Sequence, residues 1–212
     1  MLIQHIGHAE FLLTLESGFR IVTDLYDASV GYPVQPVEAD GVLVSHHHHD
    51  HDAVENVSGH PQIIDYAGIH TFAPDVRVTG IPADHDDAGG SLRGRTLLFL
   101  LEAEKLRVVH LGDLGCLLDA DQLEALGQTD VLMIPVGGHF TLDAAQALEV
   151  VRQLDPRIII PMHYRTEYNA DWPIRPAEDF LKLFDPASVL RGGQALRVTK
   201  EDLNCHPRVV LL

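Results

Sequence analysis

The chain opens on alternation. Apolar residues recur near two-residue spacing over positions 2–6, 10–15 and 20–24, and Ser17-Gly18 between the last two supplies tight-turn chemistry. These segments read as strands. After a Pro- and Gly-containing stretch from Gly31 to Pro36, the run Gly41-Val42-Leu43-Val44-Ser45 is a short buried strand that ends at histidines. A helix is predicted over 52–58, stopped by Gly59 and Pro61. Strand-like segments at 62–65, 70–72 and 77–81 follow. Positions 96–102 and 105–111 then form a predicted hairpin that runs into Gly112-Asp113.

The second half alternates between two periods. Asp119 is placed to cap a helix through Leu126, and 131–135 is a strand. Thr141 is placed to cap a helix over 142–154, where Ala144, Ala147, Leu148 and Val151 share one face. A strand at 157–161, a proline-started helix over 176–184, and short strands near 195–198 and 209–211 complete the series. Strands interspersed with helices indicate an α/β protein, and the hairpins make its sheets mixed. Four apolar strands end in ligand-capable residues: 43–45 before His46, 108–112 before Asp113, 132–138 before His139, and 158–162 before His163. Function in α/β sheets gathers at the carboxyl ends of strands, so these tails are expected to converge on one edge.

A length of 212 residues with 46% hydrophobic positions suits one domain, residues 1–212, built of two half-domains sharing a core. The net charge of -16 argues against nucleic-acid phosphates and anionic lipid as partners, and bound divalent cations would offset part of it. Cys116 and Cys205 lie far apart with no metal-site spacing, which excludes a disulfide scaffold and favours a reducing compartment. With no basic leader and no apolar run of membrane-helix length, the expected location is cytoplasmic.

Histidine changes the picture. There are 14, and five fall within 46–51, in a run that is internal, follows a strand and is interrupted by Asp50, unlike a purification tag. On an extended loop, His46 and His48 point the same way and can share one metal, while Asp50 and His51, past a local turn, can hold a second. Imidazole and carboxylate suit zinc, with manganese or iron feasible. His47 and His49 fill the intervening positions and at most shape the loop.

The ordered motifs resemble those of the metallo-β-lactamase fold superfamily. Ile6-Gly7-His8-Ala9 resembles its opening strand and Ile21-Val22-Thr23-Asp24 its first-motif aspartate. His46-x-His48-x-Asp50-His51, Pro82-Ala83-Asp84-His85, His110-Leu111-Gly112-Asp113 and the stretches ending at Thr141 and Tyr164 continue the series over most of the chain. The set is most similar to the branch that includes ascorbate-6-phosphate lactonase-like proteins. The resemblance implies a four-layer αβ/βα sandwich of two mixed β-sheets flanked by helices, with two divalent metal ions between its halves. It also implies that His46, His48 and His85 hold one metal, that Asp50, His51 and His163 hold the other, and that Asp113 bridges them beside a water acidified to hydroxide. Asp50 would orient the nucleophile or pass a proton to the leaving group. Oxygen-reducing di-iron relatives place glutamate where this chain has His48, and imidazole there favours hydrolysis.

His85, in the acidic setting Asp84-His85-Asp86-Asp87, is favoured over His110, which sits inside an apolar strand. Asp24 is expected to orient a ligand, and His8 and His139 to line the pocket; Gly137-Gly138 give backbone room. Tyr164 and Arg165 follow His163 immediately. Arg165 suits either a small anionic substrate or a surface salt bridge. The leading expectation is a hydrolase acting on a small ester, lactone or phosphoester. A phosphodiesterase or thioester hydrolase of the same fold, or a non-catalytic metal-binding module, are the alternatives.

Overall fold

Alternation places Ile3, Phe11, Leu13, Ile21, Leu43 and Ile64 on one face of a first sheet, and Val78, Phe99, Leu101, Val108, Met133 and Ile160 on the facing side of a second. Burying these faces against each other makes the central core. The computed structural model describes residues 1–204 and 208–212; Cys205, for which the sequence suggested neither a disulfide scaffold nor a metal site, lies outside them.

The first sheet has six strands in the order Ala195–Arg197, Leu2–Gly7, Glu10–Thr14, Arg20–Thr23, Gly41–Leu43 and Gln62–Ile64. The second has eight, in the order Val189–Arg191, Arg208–Leu211, Ile158–Met162, Val131–Pro135, Leu106–His110, Arg95–Ala103, Val76–Asp84 and Gly68–Ala73. Both are mixed, with antiparallel hairpins on one side and parallel crossovers on the other. Three helices, α1 (Ala120–Leu126), α2 (Ala144–Leu154) and α3 (Glu178–Leu181), are the described α-helices. Their Leu126, Ala147, Val150, Phe180 and Leu181 pack on Leu98, Leu132, Ile134 and Ile159 of the larger sheet's outer face. Val22, Val42 and Val44, on the outer face of the smaller sheet, are covered by a thin layer that includes Leu25, Ala53 and the two-stranded ribbon of Val37–Glu38 with Val57–Ser58. The αβ/βα sandwich is therefore present, with most of its helix on one side. No helix among the described residues is long and apolar enough to cross a membrane.

Three local expectations need correction. Residues 52–58 form no α-helix: a 3-10 turn at Val54–Asn56 leads into Val57–Ser58, because Val57 pairs in register with Val37. Asp143, not Thr141, caps α2, accepting from the N–H groups of Ala145 and Gln146 while Gln146 returns a bond to the Asp143 N–H. That reciprocal box outcompetes a threonine whose hydroxyl is buried without a partner. The helix expected over 176–184 is confined to Glu178–Leu181, since Pro176 is engaged in a bridge with Arg165.

Phe99 is 1% exposed at the centre of the inter-sheet core. Phe99→Ala is expected to cost about 3–5 kcal/mol, read from urea denaturation midpoints. A loss below about 1 kcal/mol would show that the sheets do not close on this side chain.

Candidate metal centre

The strands Leu106–His110, Val131–Pro135 and Ile158–Met162 lie side by side and parallel, so their carboxyl ends leave the larger sheet at one edge. Across the core, Gly41–Leu43 ends at the same edge and delivers Ser45 and the histidine run. The backbone is bent sharply there. Of seven non-glycine residues with positive φ among the described residues, His8, Asp24, His139 and His163 lie in the segments that meet at this edge. Such conformations cost free energy and persist where the surroundings enforce them. The His163 N–H donates to the His8 carbonyl at 3.0 Å, which ties the two sheets together at the site. Gly137 has no spare room: a Cβ there would stand 2.2 Å from the His163 carbonyl oxygen.

Asp113 occupies the middle. Its Oδ2 lies 3.3 Å from His85 Nε2, 3.3 Å from His163 Nε2 and 3.9 Å from His46 Nε2. Its Oδ1 lies 3.3 Å from His51 Nε2, and the Asp113 N–H donates to the Thr96 hydroxyl at 3.2 Å. His46 and His48 face each other, Nε2 to Nδ1, at 2.9 Å. His8 Nε2 meets Asp50 Oδ2 at 3.2 Å, and the His8 ring lies 4.2 Å from that of His163. Two groups of potential ligand atoms result: His46, His48 and His85, and His8, Asp50, His51 and His163; His46 and His51 also group with Asp113.

One polar relay orients the rings. Asp24, fully buried, accepts from the Ser45 N–H and Ser45 hydroxyl, each at 2.7 Å, and from His51 Nδ1 at 2.9 Å. The same hydroxyl accepts from His46 Nδ1 at 2.9 Å. Both imidazoles thus carry a proton on Nδ1 and turn Nε2 towards Asp113. His110 is engaged otherwise, with Nε2 donating to the Ala9 carbonyl at 3.0 Å and Nδ1 accepting from the Gly112 N–H at 3.1 Å. Ser45 and Thr96 were not singled out from the sequence, because a hydroxyl at a strand end carries no spacing signature.

The remaining candidates lie outside this knot. His139 is exposed, edge-on to Phe140 at 4.5 Å. Tyr164 lines a separate cavity of about 520 Å³ beside Gln4, Ile6, Tyr32 and Tyr168. Arg165 is exposed, and no described carboxylate pairs with it. His47 and His49 are exposed around the buried Asp50 and His51.

The charge balance calls for cations. Burial by itself would raise Asp24, Asp50 and Asp113, yet the facing imidazoles pull all three below the usual carboxylate range. Burial disfavours a charged His51, but those same three carboxylates raise its pKa well above the ordinary value. His51 Nε2 and Asp113 Oδ1 are buried without a hydrogen-bond partner, 3.3 Å apart. Three buried negative charges, imidazole lone pairs aimed at them and orphaned donor atoms fit divalent metal ions of the kind that nitrogen and oxygen ligands hold.

Comparison with known proteins identifies the family. Residues 2–163 match the family described as the β-lactamase superfamily domain. A UPF0173 metal-dependent hydrolase from Carboxydothermus hydrogenoformans is 32% identical, with 100% of both chains covered. Another from Thermococcus onnurineus is 31% identical over 92% of this chain and 99% of its own. A crystal structure of a metallo-β-lactamase superfamily protein from Thermotoga maritima superposes with a TM-score of 0.79 at 38% identity, covering 99% of this chain and 97% of the other.

Burial lowers His8 to about 4, with His163 adding to the effect, and lowers His46 to about 3, with His51 adding. Both are neutral in the folded chain and take up protons near 6.5 once unfolded. Stability of chelator-treated protein therefore falls as pH drops from about 6.5 towards 4, while the His51 contribution is constant in that window. The urea midpoint should decline from pH 7 to pH 5, and His46→Gln should flatten the decline. A midpoint independent of pH would overturn the neutral-histidine assignment.

Proposed function

The chain belongs to the metallo-β-lactamase superfamily and to its UPF0173 metal-dependent hydrolases, and from that membership we propose a dinuclear hydrolase acting on a small ester, lactone or phosphoester. The observation that carries the reading is Asp113, set between two groups of imidazole and carboxylate ligand atoms. His46, His48 and His85 would hold one cation; Asp50, His51 and His163 would hold the second, with Asp113 shared. The imidazole-rich donor set favours zinc over manganese or iron. Ligands drawn from both halves of the chain support a single domain, since neither half completes the site.

When bound, such a metal pair supplies an acidified water and Lewis acidity towards a carbonyl or phosphoryl oxygen. The protein's own groups do the rest. Asp24 and Ser45 hold Nδ1 of His51 and His46, so that Nε2 is the nitrogen each ring would offer; His46 is already neutral, and His51 would give up its Nε2 proton as a cation binds. Asp50, kept ionised and held by His8, would orient the attacking water and carry its proton to the leaving group. Burial of Asp113 and the four facing rings strengthens every charge interaction in the site.

Elemental analysis of metal-replete protein should find two metals per chain, and chelation should abolish hydrolysis of 4-nitrophenyl esters, lactones or phosphodiesters. A replete sample holding no metal overturns the proposal. His163→Ala should lower metal content and rate together, and Asp24→Asn should weaken metal affinity by roughly 10–100-fold. Full metal content with no turnover on any of these substrates would instead favour a metal-binding module.

A further inference from the structure

Three loops leave the candidate ligands and meet again beside them. The loop after His163 carries Trp172, the one tryptophan of the chain, whose half-buried ring lies 5.3 Å from His8 and 6.5 Å from His49. The loop after Val131–Pro135 carries Phe140, 6.1 Å from Trp172 and edge-on to it. The loop after His85 carries Arg93, whose guanidinium carbon stands 5.7 Å above the Phe140 ring. Arg93 is half-buried, and among the described residues no carboxylate pairs with it.

The arginine loop is built as a fixed wall. Asp86, next to His85 and 2% exposed, accepts from the N–H groups of Ala88, Gly90, Leu92 and Arg93 at 2.8–2.9 Å. Gly115 backs the loop so closely that a Cβ would stand 2.4 Å from the Asp86 nitrogen. Asp86 holds the Arg93 backbone through its N–H, the Phe140 ring lies under the guanidinium, and no described acidic side chain neutralises it there. In a chain of net charge -16, a fixed, unpaired cation on an aromatic shelf beside the reacting centre is a selective element.

We infer that Arg93, Phe140 and Trp172 form the substrate-selecting rim, and that the substrate is a small amphipathic anion: an apolar or aromatic body lies along Phe140 and Trp172, and a carboxylate or phosphate end meets Arg93. The inference deepens the hydrolase reading and rests on it. Aromatic faces supply area for the body of the substrate, and the guanidinium fork supplies direction for its charged end. With the anion at the rim, the scissile bond is left to face Asp113 and the surrounding histidines.

Because Trp172 is the only indole, its fluorescence reports binding without turnover. Titration of the purified protein with 4-phenylbutyrate should change the emission at least tenfold more tightly than with the neutral 4-phenylbutanol, and Arg93→Gln should erase that preference. In parallel, mono-4-nitrophenyl glutarate should be hydrolysed with a higher kcat/KM than 4-nitrophenyl valerate. Arg93→Gln should lower this ratio about tenfold, through KM, with partial rescue by Arg93→Lys. Equal binding of the acid and the alcohol, or a ratio unchanged by Arg93→Gln, overturns the rim. Selective, Arg93-dependent binding of phenylbutyrate without hydrolysis of either ester, or of the lactones and phosphodiesters above, keeps the rim and overturns the hydrolase reading.

Discussion

The structure turns on a buried carboxylate in a ring of imidazoles. Asp113 is 2% exposed, and removing such a charge from water is affordable only where opposite charge or strong donors surround it. His51, His85 and His163 approach its oxygens to 3.3 Å and His46 to 3.9 Å, from three different chain segments and from both sheets. Those imidazoles are in turn buried, and His8 and His46 are held neutral by that burial. Neutral rings leave lone pairs facing carboxylates, an arrangement completed by cations. Sheet packing and metal affinity are in this sense one constraint, because the contact between the sheets brings the donor atoms together.

Orientation is set a layer further out. Asp24 and Ser45 decide which nitrogen of His46 and His51 faces inward, and Thr96 pins the backbone of Asp113. The left-handed turns at His8, Asp24 and His163, and the absence of a Cβ at Gly137, let the loops double back within one residue of each strand end. Local strain is concentrated where chemistry needs side chains to converge from short connections. Around this rigid centre the loops differ in role: the one after His85 is fixed by Asp86 and presents a cation, and the one after His163 presents an indole.

Much of this was legible along the chain. Alternation and short apolar runs gave the strands of both sheets except Val189–Arg191, and the cap at Asp119 and the apolar stripe of α2 gave helices where they occur. The polar tails of four apolar strands pointed to one edge, and the unusual histidine run pointed to metal chemistry. Where reading failed, competition between neighbours decided. Val57 pairs with Val37, so no helix forms over 52–58, and Asp143 with Gln146 displaces Thr141 as a cap. Neither outcome follows from local propensity, since each depends on a partner.

The sequence by itself determined which residues are able to bind metal and on which strand ends they sit, because ligand chemistry and period-two alternation are local properties. Only the tertiary structure decided that His8 joins Asp50, His51 and His163, that His110 is occupied by backbone groups, and that Tyr164 faces a different cavity. It alone brought Arg93, Phe140 and Trp172 to one rim from positions up to 79 apart in sequence. The physical reason is that ring orientation and loop convergence are set by packing and hydrogen bonds across the sandwich, between segments with no adjacency along the chain.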